Sequence, residues 1–129
     1  MKKILLDTHT FLWWVDDSPR LSENALELIR HIEHECFFSL VSSWEIAIKA
    51  SIGKLKLACP VKEYIPQHLA ANHFLELPIS FRHISEVESL EFHHRDPFDR
   101  LLAAQALTED MTLVSADRIF DRYGVKRVW

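Results

Sequence analysis

Four short segments of this chain place a carboxylate where a strand should end or a helix should begin. They are Leu6-Asp7-Thr8-His9-Thr10, Ser43-Trp44-Glu45-Ile46-Ala47, Arg95-Asp96-Pro97-Phe98-Asp99-Arg100 and Ser115-Ala116-Asp117-Arg118. Acids converging from separate elements can hold hard divalent cations, because Mg2+ and Mn2+ take oxygen ligands and complete their shell with water. Such ions make a water nucleophilic and stabilise a leaving oxygen, the two demands of phosphodiester cleavage. Asp7 is the strongest single case. It ends the apolar run Ile4-Leu5-Leu6, and a carboxylate closing a buried strand must be solvated, paired or metal-bound.

Each acid also has a local role open to it. Ser42-x-x-Glu45 has capping-box spacing. Asp96 precedes Pro97 and suits an N-cap, while Asp99 in the first turn complements the helix dipole. Asp117 can start a turn. Residues three apart share a helix face, so Asp96 and Asp99 can work together. Ala103 lies on the face of Asp99, where a small side chain lets this helix approach the sheet end closely.

The elements that must position these acids follow from hydropathy patterning. Ile4-Leu5-Leu6 reads as a buried strand. Residues 22–34 read as an amphipathic helix capped by Ser22, with Ala25, Leu26, Ile29 and Ile32 on its apolar face. Cys36 to Val41 reads as a second buried strand, followed by a helix from about Ser43 to Ile52 that Gly53 stops. Residues 61–72 are expected to be helical despite Pro66, and Phe74 to Leu77 to be a strand. Residues 81–91 suit a helix, and Asp96-Pro97 opens another to about Thr108. Thr112 to Val114 is a strand, and Val125 to Trp129 a last edge strand after the Gly124 turn. This strand–helix alternation predicts an α/β fold with a parallel sheet covered on both faces. Ligands in such sheets gather at the carboxyl ends of the strands, where Asp7 and Asp117 fall.

The chain of 129 residues fits one domain, 1–129, large enough for a core without disulfides. Only Cys36 and Cys59 occur, which points to reduced thiols in a cytoplasmic protein. The uncharged stretch Cys36–Trp44 is far short of the ~18 residues of a membrane span, and Ile4-Leu5-Leu6 is too short for a signal peptide's apolar region. A net charge of −4 argues against a general nucleic-acid coat, which should be basic. It leaves a nuclease open: setting four of the nineteen acids aside as ion ligands leaves fifteen against fifteen bases, and bound cations make a site locally positive. The eight histidines show no zinc spacing: His93-His94 are adjacent, and His31 and His34, three apart, have no evident third ligand.

Taken together, LLDTHTFLWW, SSWEIAIK, HHRDPFDRLLAAQA and LVSADRIFDRYGV resemble the successive motifs of PIN-domain proteins. The closest resemblance is to the VapC-like ribonuclease toxins of type II toxin–antitoxin modules. It runs from Met1 nearly to Trp129, with the motifs in order. The resemblance implies a three-layer α/β/α PIN-like fold, a central mostly parallel twisted sheet, a homodimer and a small antitoxin partner. It also implies that Asp7, Glu45, Asp99 and Asp117 hold Mg2+ or Mn2+ and cut RNA, with Asp96 a further candidate ligand. Asp99, three residues before the Leu102-Ala103 step, best matches the family's acid in its segment.

Supporting residues can be placed around this set. Thr8 and Ser115 flank acids and suit either a metal-bound water, a carboxylate or a local turn. Lys49, four residues after Glu45, can screen the acids, touch phosphate or form an ordinary helix ion pair. Arg95, Arg100, Arg118 and Arg122 lie near the last two acids and offer charge to RNA phosphates. The aromatic run Phe11-Leu12-Trp13-Trp14 should be part core and part dimer or antitoxin surface.

Other classes also begin strand–Asp. A haloacid-dehalogenase-like phosphatase needs a second Asp two positions later, where His9 stands. A receiver domain wants a lysine after its last strand motif, where this chain has Ser115-Ala116-Asp117. A non-catalytic RNA- or protein-binding module on the same fold would not require the full acid set.

Overall fold

The computed structural model describes residues 2–129. The central strand β1 (Lys3–Leu6) sends Ile4 and Leu6 into one core and Leu5 into another, the period-two alternation of a strand buried on both faces. Helix α1 (Thr8–Val15) starts immediately afterwards, with Asp7 as its N-cap: Oδ1 accepts from the Thr10 amide at 2.8 Å. The aromatic run thus forms a helix that patterning did not predict. Its residues are rich in Thr, Trp and Val, mediocre helix formers. What holds it is tertiary: Phe11 is fully buried, its ring stacked on Phe38 with centroids 4.0 Å apart.

Helix α2 (Glu23–Arg30) is capped by Ser22, whose hydroxyl accepts from the Ala25 amide at 3.1 Å. It stops four residues short of the expected end. His31 leaves helical geometry, and Ile32, expected on the apolar face, is 96% exposed. Strand β2 (Glu35–Ser39) then gives way early to α3 (Leu40–Ser51). Ser39, not Ser42, caps α3 by accepting from the Val41 amide at 3.0 Å. The anticipated Ser42–Glu45 capping box therefore does not form; both residues lie inside the helix.

Helix α4 (Val61–Asn72) accommodates Pro66, and β3 (Leu75–Leu77) follows. Helix α5 (Phe81–Ser89) carries a capping box in which His83 replaces the usual Glu or Gln opposite Ser80. Helix α6 (Pro97–Thr108) begins as predicted, with Asp96 accepting from the Phe98 and Asp99 amides and Pro97 at the first position. Strand β4 (Thr112–Val114) leads through a 3-10 turn at Arg118–Tyr123 to the edge strand β5 (Arg127–Val128).

All strand pairs are parallel, in the order β3-β2-β1-β4-β5. Parallel neighbours need crossovers, and the helices supply them. The chain winds outward from β1 to β3 and then returns to the other side for β4 and β5. The strand order reverses between β1 and β4, and sheets of this kind bind ligands outside the carboxyl ends of the strands at such a point. The two sides of the sheet carry separate apolar clusters. Phe11, Ala25, Ile29, Phe38 and Ile46 build one, while Leu102, Ala103, Ala106, Leu113 and Phe120 build the other.

A buried polar link runs beside these clusters. The Ser39 hydroxyl donates to Gln105 Oε1, and Gln105 Nε2 donates to the Pro78 carbonyl at 3.3 Å. His83, 2% exposed, accepts at Nδ1 from the Ser80 amide at 3.0 Å. Among the described residues no helix is long and apolar enough to cross a membrane.

The packing sets an expectation for stability. Phe11→Ala should lower unfolding free energy by about 3–5 kcal/mol, because it empties a fully buried ring site. Ile32→Ser should stay within about 0.5 kcal/mol of wild type, as surface changes do. Urea unfolding followed by tryptophan fluorescence checks both; a costly Ile32→Ser would show that α2 continues past Arg30.

Candidate active site

The acids come to the carboxyl edge of the sheet by different routes. Asp7 is 8% exposed and sits where β1 turns into α1, its amide donating to the Val114 carbonyl of β4 at 3.2 Å. Burial raises its pKa above the ordinary carboxylate range; hydrogen bonds from Ser115 and Thr10 and the charge of His9 act against this. Ser115 is itself buried and accepts from the Asp117 amide at 3.0 Å. One hydroxyl thus joins Asp7 to the backbone at Asp117.

Glu45 lies mid-helix on α3 and is 6% exposed. Thr8 Oγ1 donates to Glu45 Oε1 at 2.6 Å, and Lys49 Nζ donates to Oε2 at 2.8 Å. Thr8 therefore ties the start of α1 to the acid of α3. Ser42 shares the Glu45 face, and its buried hydroxyl has no hydrogen-bond partner among the described residues.

Asp99, in the first turn of α6, is the electrostatic centre. Burial, then the charges of Asp96, Glu45, Asp117 and Asp7, push its pKa up to about 7. All four other acids thus act on one carboxyl. Asp96 caps α6 through Oδ1. Asp117 is exposed and caps the 3-10 turn, accepting from the Ile119 amide at 3.0 Å. Two neighbours of Asp99 were not singled out by patterning. His94 Nε2 lies 3.3 Å from Asp99 Oδ2, and His94 Nδ1 lies 2.8 Å from the Tyr123 hydroxyl. The only signal for them was the adjacency of His93-His94 to the acidic segment.

The basic residues divide. Arg95, Arg118 and Arg122 are exposed. Arg100 is turned toward the protein: it donates to the Val87 and Glu91 carbonyls and to the Tyr123 hydroxyl, and lies over the Phe92 ring at 5.1 Å. Lys49 is engaged with Glu45.

The donor set fits a hard cation. It is rich in oxygen, four of its acids act on the carboxyl of Asp99, and Ser42 leaves an unpartnered hydroxyl on the Glu45 face. Among the described residues no three His, Cys, Asp or Glu side chains already close around a single point. Mg2+ does not require that, since it is commonly held by one or two carboxylates and keeps several waters.

Comparison with known proteins identifies the family. The PIN domain family model matches residues 4–126. Ribonuclease VapC22 of Mycobacterium tuberculosis is 32% identical over 119 residues, covering 92% of this chain and 89% of that protein. Among solved structures, VapBC2 of Rickettsia felis bound to a DNA fragment from its promoter aligns with TM-score 0.73 at 18% identity, over 98% of this chain and 97% of that one. DNA-bound VapBC of Salmonella typhimurium aligns with TM-score 0.69 at 17% identity, over 99% and 98%. These structural likenesses speak to the fold; the family model and the sequence relative speak to descent. The chain belongs to the PIN-domain family and is a VapC-like member of it.

Proposed function

We propose that this chain is a metal-dependent ribonuclease, the toxin of a toxin–antitoxin pair, acting in the cytoplasm as a homodimer that a small antitoxin protein neutralises. The observation that carries the catalytic part is Asp99. Burial first, and then the charges of four other acids, raise its pKa to about 7, and a bound cation would offset both. The kinship with a protein named a ribonuclease supports RNA as the substrate, and the VapBC complexes among its structural neighbours support an antitoxin partner.

Asp7, Glu45, Asp99 and Asp117 would hold Mg2+ or Mn2+, with Asp96 reaching it through water. When bound, the ion supplies an activated water and charge stabilisation at the leaving oxygen. The chain does the rest. Thr8 and Ser115 fix the orientation of Glu45 and Asp7 by hydrogen bonds. Lys49 neutralises Glu45 and stands ready at the rim for phosphate. Arg95 and Arg118, exposed beside the acids, offer charge to the RNA backbone.

Three sets of outcomes test this reading. Asp7→Asn should keep its cap, since Asn caps as well as Asp, and should lose roughly 100-fold or more of RNA cleavage, the scale of removing one electrostatic partner of a transition state. EDTA should abolish wild-type cleavage, and Mg2+ or Mn2+ should restore it better than Ca2+. Full activity in EDTA, or in folded Asp7→Asn, would sink the mechanism.

The second outcome concerns stability in EDTA. The folded pKa of Asp99 lies above the unfolded one, so wild type loses stability as pH rises from about 4 to about 7. Asp99→Asn removes that loss. It should match wild type near pH 4 and be more stable by about 1–2 kcal/mol at pH 8, a figure discounted for the group's partial exposure. Melting curves across this range decide; an advantage that shrinks with rising pH contradicts the assignment.

The third separates neighbouring acids. Asp96→Ala should cost roughly 1 kcal/mol by losing the cap, whereas Asp96→Asn should keep both fold and substantial activity. Asp99→Asn should lose nearly all activity at saturating Mn2+. Finding Asp96→Asn dead and Asp99→Asn active would move the third ligand to Asp96.

A further inference from the structure

Asp99 is held from one side by a chain of three side chains whose hydrogen-bond directions can be worked out. Arg100 Nη1 donates to the Tyr123 hydroxyl at 3.3 Å. A guanidinium has no acceptor, so the hydroxyl accepts there and turns its own proton elsewhere. His94 Nδ1, 2.8 Å away, is the partner in reach. The tautomer that satisfies all three contacts accepts the hydroxyl proton at Nδ1 and carries its own N–H on Nε2. That nitrogen faces Asp99 Oδ2 at 3.3 Å, donor to acceptor.

The chain is anchored at its far end. Arg100 is fixed by the Val87 and Glu91 carbonyls, and Tyr123 is 9% exposed and belongs to the second apolar cluster. The His94 and Tyr123 rings also pack, with centroids 5.6 Å apart. The donor aimed at Asp99 thus comes from the rigid part of the molecule, although His94 lies in the connection before α6.

We propose that His94 is a positioning residue for Asp99: its Nε2–H, oriented by Tyr123 and Arg100, holds the carboxylate in the conformation that binds the divalent ion. The inference rests on the reading of Asp99 as an ion-holding acid. The physical need is plain. Asp96, Glu45, Asp117 and Asp7 all repel the Asp99 carboxylate, and a freely rotating side chain would swing away from them. A fixed donor on Oδ2 opposes that swing. Partners of this kind around metal-holding side chains typically change metal affinity by about 10–100-fold when removed.

The test is Mn2+ binding by the full chain, measured by calorimetry or electron paramagnetic resonance without RNA, with melting curves as a control on folding. His94→Leu should weaken Mn2+ binding by roughly 10-fold or more. His94→Gln, whose amide nitrogen reaches about as far as imidazole Nε2, should recover most of that loss. Tyr123→Phe keeps the ring and loses the orienting hydroxyl; it should fall between wild type and His94→Leu. Equal Mn2+ affinity in wild type and folded His94→Leu overturns the proposal. So does a Gln variant as weak as the Leu variant, because ring shape rather than the donor would then matter. If His94→Leu does not fold, Gln and Tyr123→Phe decide: wild-type affinity in Tyr123→Phe together with a weak Gln variant overturns it. Asp7→Asn in parallel tests the underlying reading. Undiminished Mn2+ binding there, or none in wild type, removes the ion site and the role of His94 with it, whereas a loss there with no effect at His94 removes only the latter.

Discussion

Mutual repulsion among carboxylates is the constraint to which this fold answers. At the carboxyl edge of the sheet four acids act on the carboxyl of Asp99, and Asp7, Glu45 and Asp99 are held wholly or partly out of water. Nothing in elementary electrostatics favours such an arrangement in the absence of a cation. It persists because each acid is tied down by a local bond that also serves the fold. Asp7 caps α1, Asp96 caps α6, Asp117 caps the 3-10 turn, and Glu45 is held by Thr8 and Lys49. The local and functional readings of these residues are therefore not rivals. A cap uses one carboxylate oxygen and leaves the other, so the same side chain can begin a helix and still offer an oxygen to the site.

Much of this was legible in the sequence, and the parts that were not have physical reasons. The strand–helix alternation gave the parallel sheet, because fully buried strands read as short apolar runs ending in polar residues. Asp96-Pro97 marked the start of α6 to the residue, since Pro at the first position is a strong local signal. Helix α1 was hidden because its residues are weak helix formers and its stability comes from Phe11 packing on Phe38, a contact between distant parts of the chain. The start of α3 was misplaced because Leu40 and Val41 prolong the apolar run of β2, so hydropathy shows no boundary at Ser39. The end of α2 was misplaced because Ile32 fits the helical spacing, yet the backbone turns away at His31.

The acids themselves were readable as types at strand ends and helix starts; their neighbours were less so. His94 and Tyr123 are 29 residues apart, and no spacing rule connects them. Nor could sequence tell which arginines face outward. Arg100 and Arg118 look alike beside their acids, but one is spent on backbone carbonyls and the other is exposed. Such distinctions depend on how the connection between α5 and α6 folds over the helix, which is a tertiary outcome.

The buried contact between Ser39 and Gln105 bears on how finely the acids are aligned. Apolar surfaces attract without direction, so one helix can slide on another by a fraction of a turn at little cost. A hydrogen bond between two fully enclosed side chains has a narrow range of distance and angle. Ser39 is the cap of the helix that carries Glu45, and Gln105 belongs to the helix that carries Asp99. That bond works like a dowel between two plates: it adds little to the adhesion, but it fixes their register. The spacing of the acids on the rim is thereby set by a joint lying inside the molecule, away from any substrate.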